Sequence, residues 1–89
     1  MFHIPSQINA DEALESFSAQ FREQLRAEVI RIGDGGKKIV AGYLDVTERT
    51  VGNYQNDTTM QVQFKTLYLA VKNLGFLFEH DGVIFGRME

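Results

Sequence analysis

The chain has no cysteine, which excludes a disulfide framework and any metal site built on thiolates. Its one proline, Pro5, opposes regular structure near the start, and residues 1–8 read as an arm. No apolar run approaches the length needed to span a bilayer. The first residues, Met1 to Ser6, lack a basic region followed by a long apolar stretch, so no secretory signal is expected and a cytoplasmic protein is. No nucleophile, base and orienting group come together, because cysteine is absent and the serines stand alone; the reading is not an enzyme. His3 and His80 lie far apart with no ligand cluster near either, so neither a metal nor a cofactor is expected. The Gly33–Gly36 run lacks the preceding strand and the Gly-Lys-Ser/Thr ending of a phosphate loop, and serves better as a helix terminator.

What remains is an ordinary globular composition, 44% hydrophobic and 24% charged over 89 residues. That is enough for one domain with a modest core, and small domains without covalent staples often gain stability by oligomerising. The net charge is −3, but it is unevenly spread. Between Lys37 and Lys72 five basic residues face three acids, whereas outside that segment four arginines face nine acids.

Hydrophobic periodicity predicts four helices. Asn9 is a suitable N-cap with Glu12 placed to complete a capping box, and Leu14, Phe17, Phe21, Leu25, Val29 and Ile32 then recur every three or four residues. Glu12 and Glu15 lie beside that cap, where helix N-termini favour acids. A short helix over 37–44 would bury Ile39 or Val40, with Ala41 and Leu44. After a tight turn at Asp45-Val46, Thr47 caps a third helix to Asn56 with Val51 and Tyr54 inward. Asn56 to Thr59 form a loop with capping chemistry. A fourth helix over 61–74 carries Phe64, Leu67, Tyr68, Val71 and Leu74 on one face, until Gly75. The period then changes, and 76–87 read as a β-hairpin turning at Asp81-Gly82, with Phe78 opposite Phe85.

The segment from Lys37 to Asn56 carries the chemistry. Two short helices that cross steeply need a small residue at their approach (Ala41) and an apolar plug in the turn (Val46). The outward face of the third helix, Glu48, Arg49, Gly52, Asn53 and Asn56, is polar or small. Such a face fits the major groove, where arginine reads guanine and asparagine reads adenine by paired hydrogen bonds.

Residues 37–56 resemble the helix-turn-helix of the Cro/repressor class of phage and bacterial regulators, the XRE-like group, notably in Val46-Thr-Glu-Arg-Thr-Val51 and Val51-Gly-Asn-Tyr54. With the flanking helices the resemblance covers about two thirds of the chain. It implies a mainly α, lambda-repressor-like domain of four to five helices plus the hairpin. The implied function is that of a transcriptional regulator, more often a repressor, binding a two-fold symmetric double-stranded DNA operator as a homodimer. It places Thr47, Arg49, Asn53 and Asn56 nearest the bases or adjacent phosphates, with Glu48 and Gly52 on the same face. Lys37 and Lys38 would meet the backbone, where free helix amides also bind phosphate, and Gln55 and Lys65 are weaker phosphate candidates. Two positions depart from the pattern. Asp45 stands where the turn usually has glycine, although aspartate tolerates left-handed geometry. Gly52 falls inside the reading helix.

The hairpin has apolar residues on both faces: Phe76, Phe78, Val83 and Phe85 on one, Leu77 and Ile84 on the other. One face is expected to cover the helices while the other, or the edge, meets a second copy. Phe76, Phe78, Val83, Ile84 and Phe85 are therefore the expected dimerisation residues; the alternative is a hairpin folded onto its own helices. The rival function is a protein-interaction module, an antitoxin or anti-repressor, acting through the acidic first helix and the apolar tail.

Overall fold

The computed structural model describes residues 10–86; the arm, the Asn9 cap and Arg87 lie outside the described residues. The fold is mainly helical with a small C-terminal antiparallel hairpin: α1 (Ala10–Ile32), α2 (Gly36–Leu44), α3 (Glu48–Asn56), α4 (Phe64–Leu69, running on into a π-helical turn, Ala70–Leu74), β1 (Phe78–His80) and β2 (Val83–Phe85). No described helix is long and apolar enough to cross a membrane.

The α1 stripe works as its spacing predicts. Phe21 and Leu25 are fully buried, and Leu14, Phe17, Val29 and Ile32 pack partly buried against the same core. Gly33 and Gly35 both take positive φ, so the chain reverses within three residues. Gly36 has a different reason to be glycine. A Cβ there would lie 2.7 Å from the Val29 carbonyl oxygen, because α2, which begins one residue earlier than periodicity suggests, starts with its backbone against α1. On α2 it is Val40 that goes inward, with Ala41 and Leu44, while Ile39 stays exposed.

Asp45 ends α2 in the left-handed region, φ 57° and ψ 45°, as its tolerance for that geometry allows. Left-handed backbone costs a non-glycine residue about 1–2 kcal/mol. Asp45→Gly is therefore expected to raise stability by about 1 kcal/mol in urea unfolding, since the exposed 3.6 Å ion pair to Lys65 that it forfeits is weak. Val46 packs partly buried against the core. Thr47 is extended, and its hydroxyl accepts from the Thr50 amide at 3.1 Å, capping α3. At the far end Asp57 accepts from the Thr59 amide and hydroxyl, which holds its carboxyl below the usual range.

The fourth helix departs from expectation in three ways. It starts at Phe64, not Gln61, because Val62 is buried and its amide donates to the Ser18 hydroxyl at 2.9 Å, tying an extended segment to α1 first. Its last turn is π-helical, ending at Gly75 with φ 71°. Its buried side is Thr66, Leu67, Ala70 and Val71, so Phe64 and Tyr68 face solvent instead of the core.

The hairpin has the predicted register, Phe78↔Phe85, Glu79↔Ile84 and His80↔Val83. Asp81 and Gly82 both take positive φ, as a type I′ turn requires. Phe76 and Phe78 are a correction to the dimerisation set. Both are buried inside their own protomer, with Phe78 in ring contact with Phe17, Phe21, Phe76 and Phe85. For these two rings the hairpin folds onto its own helices. Val83 and Phe85 are half-buried, and Ile84 is exposed.

Candidate nucleic-acid interface

Helix α3 has a simple division of faces. Val51 and Tyr54 are buried, and at 100° per residue the opposite side is Arg49, Gly52, Asn53 and Asn56. Arg49, Asn53 and Asn56 are exposed, Glu48 is exposed in the first turn, and Gly52 and Gln55 are half-buried at the margins.

Among the described residues Arg49 forms no ion pair: Asp45, one of the two acids close to it in sequence, meets Lys65 instead. Lys37 and Lys38 are exposed in the first turn of α2, whose N-cap makes no side-chain hydrogen bond. A Cβ built on Gly52 would meet only the Lys37 amino group, at 4.0 Å. The Lys37 amino group therefore lies over Gly52, so a cation of α2 reaches the outward side of α3. The same distance shows that no packing contact requires a glycine at position 52, although glycine inside a helix costs about 0.5–1 kcal/mol relative to alanine.

Not every predicted site residue is free for a ligand. The Thr47 oxygen serves the α3 cap and also lies 2.9 Å from the Thr50 hydroxyl. Lys65 is engaged with Asp45. His80, for which the sequence predicts no ligand role, packs edge-on against Phe17, its Nε2 3.4 Å from the Asp81 carboxylate.

The orientation of α3 depends on residues that sequence reasoning counted only as charge. Arg22, only 8% exposed, donates from Nε to the Tyr54 carbonyl at 3.1 Å and from Nη2 to the carbonyls of Asp57 (3.0 Å) and Met60 (3.4 Å). One turn on, Arg26 donates to the Gln55 carbonyl, at 2.9 Å from Nε. Two guanidinium groups of α1 thus meet the carbonyl-rich end of α3, where the helix dipole favours positive charge. The available signal was two arginines four apart in the middle of a helix with more acids than bases, one of them directly after the core residue Phe21.

No family model, no curated protein and no solved structure matches this chain.

Proposed function

We propose that α2, the Asp45–Thr47 turn and α3 act as a helix-turn-helix, and that the protein is a sequence-specific DNA-binding regulator that represses by occupying a two-fold symmetric operator as a homodimer. The observation that carries this reading is the solvent face of α3: Arg49, Asn53 and Asn56 surround a glycine that nothing in the fold requires, with Lys37 leaning over it. Arginine and asparagine are the side chains that pair two-pronged with guanine and adenine. A missing side chain between them lets a helix backbone approach base edges, and the flanking lysines supply phosphate contacts.

The test begins with selection of bound sequences from a random duplex pool, followed by titration at several salt concentrations. Arg49→Ala and Asn53→Ala are each expected to cost about 1–3 kcal/mol of discrimination between the selected site and random DNA, with unchanged melting temperatures. Gly52→Ala is expected to raise stability by about 0.5–1 kcal/mol while weakening binding about tenfold. Gly42, an α2 glycine with open space around its Cβ position, is the control: Gly42→Ala should stabilise without that loss. No saturable binding even at low salt would sink the reading and favour the protein-interaction alternative.

A further inference from the structure

The two edges of the hairpin are treated differently. On β1, the side-chain amides of Gln20 and Gln24 stand in for a neighbouring strand. Gln20 donates to the Glu79 carbonyl (2.6 Å) and accepts from the Glu79 amide (2.9 Å). Gln24 does the same with Leu77, at 2.8 and 3.1 Å. The match is geometric, because four residues of helix advance about 6 Å and two residues of strand about 6.8 Å. That edge is closed.

These bonds also reveal the state of the other edge. The polar groups of Glu79 point away from β2, so Glu79↔Ile84 is a non-hydrogen-bonded pair, and the amide and carbonyl of Ile84 point outward from β2. Among the described residues neither has a partner. Val83, Ile84 and Phe85 include none of the charges or prolines with which proteins protect an edge. The apolar surface continues to this edge. Phe85 stacks on core residue Phe78 at 6.2 Å on one side and meets Phe64 at 5.4 Å on the other. That row of rings begins in the interior and ends at Phe64, 67% exposed, while Ile84, 54% exposed, is on the opposite face of the hairpin.

We infer that the open edge of β2 is the surface on which a second copy of this chain docks, antiparallel about a two-fold axis at Ile84, giving one four-stranded sheet. Three features select a copy of the chain over an unrelated strand. The segment is uncharged, which lets a chain of net charge −3 meet its own image without repulsion at the axis. Antiparallel pairing about Ile84 satisfies both outward groups reciprocally, and it brings the two aromatic rows together. Both outer edges of the resulting sheet are already closed by Gln20 and Gln24, so assembly stops at two. This interface is the homodimer half of the proposed function, and it is tested without DNA.

The experiment is sedimentation equilibrium of the full chain beside Ile84→Pro. Proline removes the outward N–H, and no β1–β2 ladder bond uses it. Expected are a dimer for the native chain at tens of micromolar and a dissociation constant raised about 100-fold in the variant, with unchanged circular dichroism. In the native chain the Ile84 amide should lose protection from hydrogen exchange on dilution, a measurement that holds even where the variant misfolds. A native chain monomeric at about 1 mM, an Ile84→Pro protein that dimerises as tightly, or an Ile84 amide indifferent to dilution would each overturn the inference. A dimer that binds no DNA would leave this interface standing and remove the operator reading.

Discussion

Replacing Arg22 with methionine is expected to lower unfolding stability by about 3 kcal/mol, a fall of roughly 15 °C in melting temperature for a domain of this size. Methionine keeps the apolar stem but leaves the carbonyls of Tyr54, Asp57 and Met60 without their shared donor. Hydrogen bonds from a charged group contribute about 1.5–3 kcal/mol, and carbonyls left dry lose more than a formed bond gains. Thermal and urea unfolding would measure the loss. A melting temperature within about 2 °C of the native value would mean that water replaces the guanidinium easily and that Arg22 is an ordinary surface residue.

Phe78→Ala is expected to cost about 3–5 kcal/mol, comparable to the entire margin of many small domains. The ring is fully buried and touches four others, Phe17, Phe21, Phe76 and Phe85, so truncation leaves a cavity where α1 meets the hairpin. The contrast with Ile84→Pro is diagnostic. One variant should lose stability whatever its state of association, the other should lose association with its fold kept. Calorimetry finding Phe78→Ala within about 1 kcal/mol of the native chain would return that ring to the surface and undo the assignment of the hairpin's inner face.

What the sequence made legible was what depends on near neighbours. The Thr47 cap, the left-handed Asp45, the Asp81-Gly82 turn and the Phe78↔Phe85 register each rest on residues a few positions apart. So does the division of α3 into a buried Val51–Tyr54 side and an exposed Arg49–Asn53 side. The misses all involve distant partners. The start of α4 is set by a bond from Val62 to Ser18, 44 residues away. Phe64 looked inward because its spacing suited the Leu67 and Val71 stripe, yet the buried arc is shifted by the anchored Val62 and it ends at the open β2 edge. Phe76 and Phe78 read as an interface because the hairpin alternates apolar residues on both faces, and alternation does not say which face α1 covers. Arg22, Arg26, Gln20 and Gln24 show their roles only once carbonyls 29 to 59 residues away come beside them. On the candidate site itself, the chain pattern found the face; the structure added Lys37 leaning over Gly52 and removed the Thr47 oxygen and Lys65 to other duties.

The arginine fastening of α3 has a dynamic consequence. Helix ends ordinarily fray, opening many times for each global unfolding event. Here the last turn of α3 cannot swing out without breaking the bonds of its Tyr54 and Gln55 carbonyls to Arg22 and Arg26 of α1, itself seated in the core through Phe21 and Leu25. The slowest-exchanging protons of the chain should therefore include those of that turn, an unusual trait for a nine-residue helix at the surface, so that any partner of α3 would meet a stiff surface and little ordering entropy would be lost on contact.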